Sequence, residues 1–121
     1  MRFIDSNVLI YAFYDNEYTE KCQNIIRKGG LVDTFNLIEA FFIIEKQTSK
    51  EKAIESIKGL LKSNIHIIDV DVSLLFEAVK RSKKVNLTIF DCIHYVAAKL
   101  NDCNEIISYD KDFDNLDIPR K

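Results

Sequence analysis

Short apolar runs alternate along the chain with longer stretches of helical period. Arg2 to Asp5, Leu31 to Thr34, Ile65 to Val70 and Glu105 to Tyr109 read as strands, with a last stub at Leu116 to Ile118. Between them the spacing predicts helices over Val8 to Tyr14, Tyr18 to Lys28, Phe35 to Gln47, a segment begun by Ser49, Ser73 to Lys84 and Thr88 to Leu100. Gly29-Gly30 stops the second helix. The periodicity turns Cys22, Ile25 and Ile26 inward in that helix, and Leu37, Ile38, Phe41, Phe42 and Ile44 in the third. In the fourth, Ala53, Ile54, Ile57 and Leu61 form the apolar face, with lysines and glutamates on the solvated side.

Alternating strands and helices imply a mostly parallel sheet, because parallel neighbours need crossover connections and these are usually helical. The expected architecture is a three-layer α/β/α sandwich around four or five strands. In such sheets ligands bind beyond the carboxyl ends of the strands. No repeat, linker or low-complexity tract divides the 121 residues, and 47% hydrophobic residues suffice for one core, so one domain over 1–121 is expected. The 17 basic and 19 acidic residues nearly cancel, which excludes a global field that would draw in a polyanion; any nucleic-acid contact is local. No apolar run approaches a membrane span, and Met1 leads directly into a strand, so a cytoplasmic protein is expected. Cys22, Cys92 and Cys103 form an odd set without a Cys-x-x-Cys pair, giving neither a zinc site nor a disulfide framework. Cys92 is expected to pack within a helix.

Four acidic segments sit where strands hand over to helices: Phe3-Ile4-Asp5-Ser6-Asn7, Asn36-Leu37-Ile38-Glu39, Thr88-Ile89-Phe90-Asp91 and Ser108-Tyr109-Asp110-Lys111-Asp112-Phe113. Taken singly, Asp5 or Ser6 caps the first helix, Thr88-x-x-Asp91 has the form of a capping box, and Asp110 caps the stub that follows. Glu39 resists that reading. It lies between Ile38 and Ala40 on a strongly apolar helix, where a carboxylate is costly unless it faces a cleft. Taken together, four acids converging on one rim would repel one another without a cation. That pattern asks for a metal.

In order and spacing, these motifs resemble those of the PIN-domain ribonucleases, most closely the VapC-like toxins of toxin–antitoxin pairs. Phe3 to Ile10 is similar to the family's opening hydrophobic-Asp-(Ser/Thr)-(Ser/Asn) motif, and Leu37-Ile38-Glu39-Ala40 to its helical glutamate. Leu87 to Ala98 resembles the segment in which an Asp opens a small-residue helix, and Ser108 to Phe113 the (Thr/Ser)-x-Asp-x-x-Phe motif. The resemblance implies a catalytic pocket of Asp5, Glu39, Asp91 and Asp110 for hydrolysis of RNA phosphodiester bonds. Asp5, Asp91 and Asp110 would bind Mg²⁺ or Mn²⁺, directly or through water, and Glu39 would bind metal or activate water. Hard oxygen donors suit these cations, which lower the pKa of a coordinated water and offset charge on phosphate. It also implies an antitoxin partner.

Ser6, Asn7 and Ser108 are assigned to orienting Asp5 or a water, with Ser6 and Asn7 equally suited to satisfying free amides at the first helix. Asp112 is a doubtful further acid, more readily a surface aspartate. His94, one turn beyond Asp91, is read as a core or helix-surface histidine rather than a general base. The run Lys80-Arg81-Ser82-Lys83-Lys84 suits the carboxyl end of a helix better than RNA phosphates. Tyr11, Phe13, Tyr14, Phe41 and Phe42 are core candidates before they are base-stacking ones, while Tyr14 and Tyr18 are candidates for a protein-facing surface. A homodimer through the Phe35 to Leu61 helices is expected. The alternative to the nuclease is a non-catalytic PIN-like module binding RNA or protein, against which the full acidic set argues. An aspartyl-nucleophile phosphotransfer domain is weaker still, since Asn7 stands where a second acid would be persuasive.

Overall fold

The computed structural model describes all residues from Met1 to Lys121. Its elements run β1 (Arg2–Ile4), α1 (Ser6–Tyr11), α2 (Thr19–Lys28), β2 (Gly30–Asp33), α3 (Thr34–Gln47), α4 (Lys50–Leu61), β3 (Ile65–Ile68), α5 (Val72–Arg81), α6 (Ile89–Leu100) and β4 (Glu105–Ile107), then a single 3₁₀ turn at Lys111–Phe113. The strands form one parallel sheet in the order β3-β2-β1-β4, with Phe3 opposite both Leu31 and Ile106. The strand period of two divides the core. Ile4 and Val32 point toward α1 to α4 and pack with Val8, Leu9, Cys22, Ala40 and Ala53. Phe3 and Leu31 point the other way, toward α5 and α6, and pack with Leu74, Ala78, Cys92, Val96 and Phe113. The sandwich is therefore the expected three-layer α/β/α arrangement. Gly30 permits its tightest seam, because a Cβ there would lie 2.9 Å from the Arg2 carbonyl oxygen in the neighbouring strand.

Several boundaries shift for local reasons. Asp5 has extended backbone and caps α1, so that helix begins at Ser6 rather than Val8 and ends at Tyr11 rather than Tyr14. The predicted fifth strand at Leu116 to Ile118 is absent; the chain instead bridges β4 at Arg120, where the Ile106 amide bonds the Pro119 carbonyl. The inward faces of α3 and α4 are narrower than their apolar stripes. Asn36, Leu37, Ala40 and Ile44 are buried, whereas Ile38 and Phe42 are 63% and 55% exposed. On α4, Leu60 rather than Leu61 turns inward beside Ala53 and Ser56, and Ile54 is exposed. The small side chains of Ala40 and Ala53 set these seams, bringing the helices close and leaving the bulkier neighbours outside. No helix is long and apolar enough to cross a membrane.

Candidate active site

The crossovers through α1–α2 and α3–α4 carry the chain outward from β1 on one face, and the return through α5–α6 crosses the other face to place β4 on the far side of β1. The strand order thus reverses between β1 and β4, the position at which an open parallel sheet forms a crevice. Asp5 follows β1 there, and Ser108 to Asp110 follow β4. An Asp5 amide bond to the Ile107 carbonyl, 2.9 Å long, carries the ladder up to the site. Both Asp5 carboxylate oxygens are engaged: Oδ1 accepts from the Ser6 amide at 2.8 Å and Oδ2 from the Ser108 hydroxyl at 2.7 Å. Ser108 Oγ in turn accepts from Asn7 Nδ2 and the Asp110 amide, while Asn7 Oδ1 accepts from the Tyr109 amide. Ser6, Asn7 and Ser108 therefore tie the two sides of the crevice together around Asp5.

Behind this seam lies a buried polar network. The ring of His94 sits between two carboxylates, with Nδ1 2.7 Å from Asp33 Oδ2 and Nε2 2.6 Å from Glu39 Oε1. Glu39 Oε1 also accepts from the Ser6 hydroxyl at 2.6 Å, and Ser6 Oγ accepts from Asn36 Nδ2 at 2.8 Å. Asp33 and Asn36 form a reciprocal capping box at the start of α3, each side chain accepting from the other's amide. Apart from Ser56, every buried polar side chain in the protein belongs to this site: Asp5, Ser6, Asp33, Asn36, His94 and Ser108. None is left without a hydrogen-bond partner. Burial pushes the His94 pKa down, but the bonds and charges of Asp33 and Glu39 override it and raise the value to about 10. The ring is therefore an imidazolium at neutral pH, donating from both nitrogens. Burial pushes Glu39 up, and the hydrogen bonds and charge it receives from His94, with Ser6, bring it below the usual carboxylate range.

No ion pair of this kind reaches the outer acids. One carboxylate oxygen from each of Asp91, Asp110 and Asp112 can be chosen so that all lie within 4.8 Å of one another. Burial, then the charges of Asp5 and Asp110, push Asp91 up to about 6. Burial likewise raises Asp5, partly opposed by His94 and Ser108. All-oxygen donors crowded against their own repulsion fit a hard divalent cation such as Mg²⁺ or Mn²⁺ and lack the nitrogen or sulfur that zinc favours. The capping roles coexist with this arrangement. Thr88 Oγ1 accepts from the Asp91 amide, and Asp110 Oδ1 accepts from the Asp112 amide, capping the 3₁₀ turn rather than the Leu116 segment.

The acids brought within reach of one ion are Asp91, Asp110 and Asp112; Asp5 and Glu39 lie near enough for their charges to raise Asp91 but are not part of that group. His94 is indeed a buried helix residue, but it is wired into the site rather than into an apolar core. Asp33 and Asn36 went unrecognised in the sequence. Their signal was present: Asp33 ends β2 as Asp5 ends β1, and Asp33-x-x-Asn36 has capping-box spacing ahead of an apolar helix. Tyr11 is not free to stack bases, because it packs against Tyr14, Tyr18 and Tyr109 at centroid distances of 6.4, 5.4 and 5.6 Å. Lys84 and Lys111 line a cleft with Asn86, Asp112 and Asn115 beside the outer acids.

The PIN domain family model matches residues 2–119. Ribonuclease VapC1 of Aquifex aeolicus is 26% identical over 96% of this chain and 85% of its own. Among solved structures, Mycobacterium tuberculosis VapC20, a Sarcin-Ricin loop cleaving toxin, superposes with a TM-score of 0.78 at 11% identity, covering 93% of this chain and 92% of that one. VapBC2 from Rickettsia felis, bound to a DNA fragment from its promoter, gives 0.73 at 14% identity over 99% and 96%. The sheet order, the acids at its crevice and the match along nearly the whole sequence agree, and the chain belongs to the PIN-domain family.

Proposed function

We propose that this protein is a Mg²⁺- or Mn²⁺-dependent endoribonuclease and the toxin of a toxin–antitoxin pair. The observation that carries the reading is the cluster of Asp91, Asp110 and Asp112, none of them in an ion pair, beside Asp5 at the switch point of the sheet. Asp91, Asp110 and Asp112 would hold the cation, and Asp5, fixed by Ser6 and Ser108, would add its charge directly or through water. When bound, the cation supplies Lewis-acid charge and an activated water for phosphodiester hydrolysis. Glu39 has Oε1 tied by Ser6 and His94, and its Oε2 would be the group to take a proton from water. The cleft lined by Lys84, Asn86, Lys111 and Asn115 offers cations and amides to an RNA backbone approaching the cluster. The cytoplasm, where RNA is available, is the corresponding compartment.

The antitoxin belongs on the exposed apolar surface of α3 and α6. Ile38, Phe42 and Phe90 are each at least half exposed, and they flank Glu39 in one shallow pocket. A segment seated there would cover the entrance to the rim. This reading also draws on the similar structures, one described as a toxin–antitoxin complex from Klebsiella pneumoniae and two as VapBC bound to DNA. The deciding experiment is RNA cleavage by the purified protein in Mg²⁺, in Mn²⁺ and in EDTA, beside Asp91→Asn. Metal-dependent cleavage that Asp91→Asn lacks is expected. Cleavage that survives both EDTA and the substitution, with contaminating nuclease excluded, overturns the proposal.

A further inference from the structure

Glu39 lies on the partly exposed side of α3, where only Ser6 and His94 hold its carboxylate. Its neighbours Ile38 and Phe42 are exposed, and its own side chain is about a third exposed. Left to itself, such a glutamate would sample several rotamers in solvent. The ring of His94 prevents this. It comes from a different layer, on α6, and reaches past the end of β2 to the carboxylate, where its bond is one of the two shortest in the network at 2.6 Å. From behind, the fully buried Asp33 takes the other ring nitrogen at 2.7 Å, and the Asp33 carboxylate is fixed by the Asn36 amide at 2.8 Å. Asn36 closes the circuit by donating to Ser6, the second donor to Glu39 Oε1. Both arms of this network, through His94 and through Ser6, end on the same oxygen of Glu39.

We propose that His94 is a positioning residue for Glu39, a strap that is braced by Asp33 and ties down Oε1, so that Oε2 alone remains to take a proton. The strap rests on the nuclease reading only for its consequence in catalysis; the geometry stands without it. It also gives His94 a role distinct from general base, since both ring nitrogens are occupied by carboxylates and neither is available to substrate.

The test is a double-mutant cycle in single-turnover RNA cleavage with Mg²⁺, using the wild type, Glu39→Gln, His94→Gln and the double variant. His94→Gln is expected to lower kcat by roughly 10- to 100-fold with KM for RNA unchanged, as for other residues that orient a reacting group. It is expected to cause no further loss once Glu39 is Gln, because a strap has no effect when what it holds is gone. Losses that multiply in the double variant, or an unchanged kcat in His94→Gln, overturn the proposal. Nitrogen-15 spectra of the His94 ring give a second readout that needs neither activity nor the folding of His94→Gln. Glu39→Gln should displace the Nε2–H resonance and leave Nδ1–H nearly in place. A ring indifferent to Glu39→Gln overturns the strap whatever the RNA assay reads, whereas a wild type without metal-dependent cleavage but with the displaced resonance overturns only the nuclease reading.

Discussion

The inner and outer halves of the acidic rim solve the same electrostatic problem in opposite ways. Inside, Asp33 and Glu39 are served by a cation of the protein's own, His94, and no buried polar side-chain atom lacks a partner. Outside, Asp91, Asp110 and Asp112 crowd together without an ion pair, and burial with the charges of Asp5 and Asp110 drives Asp91 up to about 6 despite His94. A buried charge must be compensated or neutralised. The inner half is complete when the chain folds, and the outer half is completed only by something bound. The difference separates a scaffold that aims one carboxylate from a receptor for a cation.

The largest consequence of that division concerns activity. Asp91→Asn removes a charge from the receptor without touching the scaffold, and should lower RNA cleavage on the order of 10³-fold, as removal of a principal electrostatic group does elsewhere. Asp5→Asn is the poorer probe. Both Asp5 oxygens accept hydrogen bonds, so an amide nitrogen would face either the Ser6 amide or the Ser108 hydroxyl and disturb the seam as well as the charge. Cleavage rates for Asp91→Asn close to those of the wild type would dissolve the distinction between the two halves.

Stability should divide the other way. His94→Ala strips the inner half of its cation and strands Asp33 with no solvent access, a loss of about 3–5 kcal/mol typical of breaking a buried pair from one side. Urea unfolding measures it, and a cost below that of an ordinary surface substitution would show that the network is not compensating buried charge.

Cation binding should act on the outer half alone. Mg²⁺ at about one hundred times its dissociation constant should stabilise the fold by about 2.7 kcal/mol, and Asp112→Asn should reduce that gain. Thermal melts with and without Mg²⁺ report both. An identical Mg²⁺ response from Asp112→Asn would return Asp112 to the role of an ordinary exposed aspartate.

The two halves were unequally visible in the sequence for a physical reason. Asp5, Asp91 and Asp110 at their motif positions, with Glu39 on its apolar helix, could be picked out as a set that would repel without a cation. Asp33, Asn36 and His94 are compensated by one another, so none looks anomalous alone; their meaning resides in distances between β2, α3 and α6 that no local pattern encodes. The parallel sheet and the α/β/α layering followed from alternation, whereas the strand order β3-β2-β1-β4 did not. The inward faces of α3 and α4 did not, because Ile38, Phe42, Ile54 and Leu61 satisfy the helical period while remaining outside. Apolar periodicity reports what can be covered, and here part of the stripe lies beside Glu39, free of the protein's own core.

The smallest effect separates the halves by pH. The folded pKa of Asp91, about 6, lies above its ordinary value of 3.8, so between these limits the folded state binds more protons than the unfolded one. Stability of the metal-free protein should therefore fall as pH rises through that window, by about 1 kcal/mol from Asp91 once its partial exposure is discounted. Asp5, also raised, adds to the same slope. His94 acts elsewhere: its contribution is complete below 6.5 and is lost only as pH climbs through about 10. Chemical denaturation in EDTA at pH 4 and pH 7 should show a smaller decline for Asp91→Asn than for the wild type, and saturating Mg²⁺ should reverse the wild-type decline, because a cation favours the ionised outer acids. A decline equally steep in Asp91→Asn would place the excess protons on other groups and leave the outer half no more strained than the inner.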